Sequence, residues 1–115
     1  MHRDSRLYLD DILEAINQIR TYVENQSEES FKQDRKTQDA VIRNLEIIGE
    51  AAGKLPEKMQ DVESGIDWRK IKGLRNVLIH EYFAINLPIV WDVIQNKLGP
   101  LESACRDLLE RVADP

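Results

Sequence analysis

LYLDDILEAINQIRTYV, residues 7–23, places Leu9, Ile12, Ile16, Ile19 and Val23 at successive steps of 3, 4, 3 and 4. That spacing puts them on one face of an α-helix and is incompatible with the two-residue alternation of a strand. The stretch therefore predicts an amphipathic helix from about Asp4 to Asn25, with one side committed to a core.

The same period recurs downstream. A polar break, Ser27 to Ser30, precedes a second helix that starts between Ser30 and Asp34, either of which can cap it. That helix runs to Lys54 with Val41, Leu45, Ile48, Ala52 and Leu55 inward, and Pro56 stops it. Gly49, Ala51, Ala52 and Gly53 make its last turns slim enough for another helix to come close. Pro56 to Gly65 reads as a connection holding one short helical turn. Asp67 then caps a third helix striped by Trp68, Ile71, Leu74 and Leu78. Asn86 caps a fourth, with Pro88 in its first turn where proline is tolerated and Val90, Trp91, Ile94 and Leu98 inward. Gly99-Pro100 is expected to interrupt or kink it before Leu101, Cys105, Leu108 and Val112 resume the pattern. Residues 1–115 thus read as a single domain. Its class is all-α, a four- to five-helix up-and-down bundle.

Bulk properties narrow the function. The formal net charge is −5, which argues against broad coating of nucleic acid but leaves room for a local basic site. One cysteine, Cys105, excludes an internal disulfide and reads as a small buried hydrophobe. No stretch approaches the ~18 apolar residues of a membrane span, and the polar start Met1-His2-Arg3-Asp4 leads into no signal-peptide core. A cytoplasmic protein with no membrane association is expected. No phosphate-binding glycine loop is present, and no group of side chains has metal-ligand spacing. Neither a metal nor another cofactor is expected.

The segment that can carry chemistry is Arg75-Asn76-Val77-Leu78-Ile79-His80-Glu81-Tyr82. An imidazole both accepts and donates protons near neutral pH, and the Arg75 fork of donors suits a phosphate. Asn76 and His80 are four apart and share a helical face, as do Arg75 and Tyr82, seven apart. Arg75 and His80, five apart, diverge by about 140°. Either Arg75 curls around, or the helix ends before His80, or two copies of the helix face each other across a twofold axis. A homodimer accounts for the spacing most economically. Just upstream, Arg69, Lys70 and Lys72 lead up to Arg75 with no acid among them, the strongest basic cluster of an acidic chain and a candidate contact for RNA phosphates.

The Arg75–Tyr82 segment resembles the arginine, four residues, histidine, any residue, tyrosine signature of HEPN domains, in their HepT-like branch. The likeness spreads over most of the chain. It includes the opening helix from Asp4 to Leu13, the run AVIRNLEIIGEAA at 40–52, Asp67-Trp68, Ile71, Gly73-Leu74 and Val90-Trp91. The resemblance implies a dimeric helical bundle acting as a metal-independent endoribonuclease. In that family such a protein is the toxin of a toxin–antitoxin pair, neutralised by a minimal nucleotidyltransferase. Carried over, the catalytic residues are Arg75 and His80 with Asn76 in support, and Tyr82 is the candidate for modification by AMP. The alternative is a non-catalytic helical partner of such a nucleotidyltransferase, helping to hold substrate or nucleotide.

Overall fold

The computed structural model describes the backbone of residues 4–80 and 86–113, and the side chains of 4–74 and 86–112. Every element among the described residues is helical: α1 (Ser5–Val23), α2 (Glu28–Lys32), α3 (Arg35–Gly53), α4 (Glu57–Val62), α5 (Trp68–His80), α6 (Leu87–Asp92), one π-helical turn (Val93–Lys97) and α7 (Leu98–Ala113). The molecule is an all-α bundle. α1 packs on α3 and on α7, and α5 packs on α3.

Most of the core comes from the stripes read from the sequence, although Trp91, expected inward, is only half-buried. Leu9, Ile12, Ile16, Ile19 and Val23 of α1 are buried, as are Val41, Leu45, Ile48, Ala52 and Leu55 in and just beyond α3. Leu98, Leu101, Cys105 and Leu108 bury the matching face of α7. Gly49, Ala51 and Ala52 are buried in α3, so a neighbouring element does reach that slim face, but Gly53 at its end is exposed and, among the described residues, no other element comes close there. Burial pushes the Cys105 thiol up to about 12, with a smaller push from the Glu63 charge, and at neutral pH it stays a protonated, apolar-like side chain.

Caps set the boundaries. The Asp4 carboxylate accepts the Arg6 N–H at 2.9 Å, starting α1 at Ser5. Asp34 is the cap of α3, accepting from the Thr37 N–H at 3.1 Å and the Thr37 hydroxyl at 2.6 Å. Asn86 accepts the Ile89 N–H at 3.2 Å at the head of α6. Each satisfies a donor that the first helical turn leaves without a partner.

Two expectations are corrected. The polar run Ser27–Ser30 is not a simple break, since α2 begins there. Ser27 and Ser30 form a reciprocal cap, each hydroxyl accepting the other's backbone N–H. The short helix swings Phe31 into the core with no exposed surface, and its ring centroid lies 5.3 Å from that of Trp91 on α6. The second correction concerns Gly99-Pro100, which does not interrupt the last helix. The irregularity sits upstream, in the π turn, where the Leu98 N–H donates to the carbonyl of Val93 five residues back. A proline removes one α-helical hydrogen bond and its ring collides with the carbonyl four residues back. For Pro100 that carbonyl belongs to Asn96, inside the widened turn, which absorbs the misfit, and α7 continues unbroken from Leu98 to Ala113.

Buried amides tie the short elements to the long ones. Gln38 Nε2 donates to the carbonyls of Phe31 and Lys32, at 2.9 and 3.1 Å, closing α2 onto α3. Gln60 Nε2 donates to Leu55 O at 3.0 Å, closing α4 onto the end of α3. Trp68 Nε1 donates to Glu63 O at 3.1 Å. That last bond fixes the first residue of α5, the helix that carries the candidate chemistry.

Candidate active site

α5 starts where the sequence places it. Asp67 accepts the Lys70 N–H through its side chain at 3.2 Å, and its carbonyl accepts from Lys70 and Ile71. Trp68 is buried at the base of the helix, and Ile71 and Leu74 are half-buried against the core. One face of α5 is therefore anchored.

Arg69 and Lys70 are exposed and Lys72 is half-buried. Among the described residues none of the three lies within ion-pair distance of a carboxylate. Elsewhere the cations are largely paired within or between helices: Arg20 with Glu102 at 2.8 Å, Arg35 with Asp39 at 3.3 Å, Arg111 with Asp107 at 3.1 Å. The head of α5 is thus a locally positive strip on an acidic protein, and such a strip draws in phosphates.

Arg75, Asn76 and His80 all lie on the backbone of α5, whose helical geometry continues to His80. The helix does not end before His80, so that option for bringing Arg75 and His80 together is removed. Their backbone positions diverge as a five-residue step on a helix must. Their side chains, and all of Tyr82, lie outside the described residues. Among the described residues no cluster of three or more His, Cys, Asp or Glu side chains is placed to hold a metal ion. Among the same residues no helix is long and apolar enough to cross a membrane.

Beside the positive strip lies a groove of about 420 Å³ between the first half of α5 and the α6–π–α7 segment. Its walls include Ile71 and Leu74 from α5 and Ile89 and Val93 from the other side, with Lys70 and Lys97 among its polar lining. The sequence reading did not single out Ile89, Val93, Asn96 or Lys97. One signal was present: Ile89 is a large apolar residue next to, but outside, the inward stripe of α6. In the structure it is 60% exposed.

Comparison with known proteins gives a consistent answer. A family model described as "Ribonuclease HepT-like" matches residues 12–108. A protein of Methanocaldococcus jannaschii named as a putative RNase is 43% identical over 96 residues, which is 84% of this chain and 79% of that protein. A protein of Thermococcus cleftensis named as a probable ribonuclease HepT is 38% identical over 102 residues, 89% of this chain and 93% of its own. A second M. jannaschii protein, named as a gamma-glutamylcyclotransferase and putative RNase, is 34% identical over 112 residues. The matched region is 97% of this chain but only half the length of that relative. No solved structure matches the chain.

Proposed function

We propose, since this chain belongs to the HepT-like ribonuclease family, that it is an endoribonuclease in which Arg75, Asn76 and His80 of α5 perform the cleavage. The observation that carries the reading is the placement of these three residues on one helix whose first turns hold three cations without an ion pair among the described residues. Arg69, Lys70 and Lys72 would hold the RNA backbone there, leading it toward Arg75.

The reaction is internal transesterification. An imidazole of His80 takes the proton of the ribose 2′-hydroxyl as O2′ bonds to phosphorus. The P–O5′ bond breaks, and the departing oxygen receives a proton from an imidazolium. The products are a 2′,3′-cyclic phosphate and a 5′-hydroxyl. Arg75 stabilises the charge that grows on the phosphorane, an electrostatic contribution that is often the largest in such catalysis. Asn76 holds a phosphate oxygen or orients His80. Divergence of Arg75 and His80 on one helix favours a homodimer, in which two copies of α5 flank one RNA groove. DNA, lacking the attacking hydroxyl, is not a substrate.

The test is incubation of purified chain with a mixed-sequence RNA in excess EDTA. Cleavage is expected to continue undiminished, with cyclic phosphate ends on the products, because no step calls on a metal. Loss of activity restored by one divalent ion would overturn this mechanism. Absence of any cleavage would favour a non-catalytic helical partner of a nucleotidyltransferase.

Regulation completes the proposal. The chain acts as the toxin of a pair with a nucleotidyltransferase, and Tyr82 receives AMP from it. Tyr82 follows Arg75 by seven residues, so an attached phosphate could pair with the guanidinium and occupy the place of the RNA phosphate. Incubation with ATP and the cognate nucleotidyltransferase is expected to add AMP-sized mass at Tyr82 and abolish cleavage. A fully neutralised toxin with unmodified Tyr82 would instead point to inhibition by binding alone.

A further inference from the structure

The groove beside α5 has a composition that a plain packing defect would not explain. Its α5 wall is Ile71 and Leu74, both half-buried, and its far wall is Val93 and the largely exposed Ile89. Fully buried Leu101 lies at its floor. The ammonium groups of Lys70 and Lys97, on opposite elements, belong to exposed residues, and neither is within ion-pair distance of a carboxylate among the described residues. The acid that lines the groove, Asp67, turns one oxygen to the backbone of α5 as its cap. Apolar walls with cations at the rim suit a flat, weakly polar ring joined to an anionic backbone.

We infer that this groove is a nucleobase subsite, which takes one unpaired base of the RNA while Lys70 and Lys97 hold the phosphates that flank it. The inference rests on the ribonuclease reading and deepens it by naming where the substrate is read. Single-stranded RNA is recognised through bases splayed away from their neighbours and laid against side chains, with cations tracking the backbone. Position supports the same occupant. Leu74 of the groove wall immediately precedes Arg75, and Ile71 lies one helical turn before it. Ile71 of the wall and Arg75 are four apart, so they share a helical face at about 6 Å along the axis. A chain whose phosphate reaches Arg75 is therefore one turn from the groove wall, while Lys70, about 140° around the helix from Arg75, meets the chain on the groove side.

A rival occupant is a second copy of this chain, and the test separates the two. RNA carrying single 4-thiouridines is bound to the His80→Ala protein, which holds RNA without consuming it, and irradiated. Cross-linked peptides are expected from residues 65–74 and 89–101. Ile89→Glu, at a site exposed enough to leave the fold intact by circular dichroism, is expected to weaken binding about tenfold. In the otherwise unaltered chain it should also change which bases flank the cut. RNA bound and cut as before by Ile89→Glu, with cross-links elsewhere, would overturn the subsite and leave the ribonuclease reading standing. A halved mass on sedimentation of Ile89→Glu would overturn it in favour of a contact between copies. No binding and no cleavage by the unaltered chain would remove the ribonuclease reading itself, and the subsite with it.

Discussion

Replacement of His80 by alanine is expected to slow RNA cleavage by about 10²–10⁴-fold, the usual contribution of a positioned general acid–base. Arg75→Ala is expected to cost on the order of 10²–10³-fold, as removal of a donor to a developing oxyanion does. The double variant should fall well short of the product of the two, because both residues serve one transition state. Single-turnover cleavage of a defined oligoribonucleotide measures all three. Both residues lie on α5, a helix held by Trp68 at its base and by its packing on α3. The helical content should therefore stay at its normal value, and circular dichroism checks this. Near-normal cleavage by His80→Ala would move the chemistry to another residue.

The largest effect on stability is expected at Phe31. Its side chain is fully buried and its ring lies against Trp91, tilted by 38°. Phe31→Ala leaves a cavity where α2, α3 and α6 meet, and such truncations destabilise by about 3–5 kcal/mol. For a domain of this length the midpoint of thermal unfolding should fall on the order of 15 °C. Phe31→Leu, which refills much of the volume, should recover most of that loss. A change of less than about 1 kcal/mol for the alanine variant would mean that α2 is not docked as the ring contact implies. A comparable change at exposed Tyr22 is expected to have little effect.

The contrast between these two sites shows what a single sequence reveals. The long stripes of α1 and α3 were legible because each repeats over several turns, and a period needs repeats to be seen. Phe31 was not, because five residues of α2 contain one apolar side chain and a single point defines no period. Its signal was instead chemical: two serines three apart, each able to cap for the other. Asp67, Asn86 and Pro56 were readable because their effects on the backbone are local. The candidate residues Arg75 and His80 were picked out by likeness to a family signature, since a four-residue gap between an arginine and a histidine says little by itself. The groove was not readable. It joins residues 65–74 to residues 89–101, and no local pattern announces that two segments some twenty residues apart will form opposite walls. Position 100 misled in the other direction: a proline marks a difficulty in the helix, but the chain resolved it a turn earlier.

That earlier turn gives the last helical span two phases. Before it, Val90 sets which way the helix faces; after it, Leu98, Leu101, Cys105 and Leu108 do, and Ile94 is the buried residue of the turn itself. The turn between them holds one residue more than a regular α-helix would, and each residue is worth about 100° of rotation. The upstream part can therefore aim Ile89 outward while the downstream part keeps its seam against α1. Loss of a single residue from 93–97 would force both parts into one phase. Either the seam or the outward-facing wall would then point the wrong way, and Pro100 would sit in a ladder with no slack. A change of length at this place would be felt along the whole span, whereas a change of side chain at exposed Gln95 would be felt only locally.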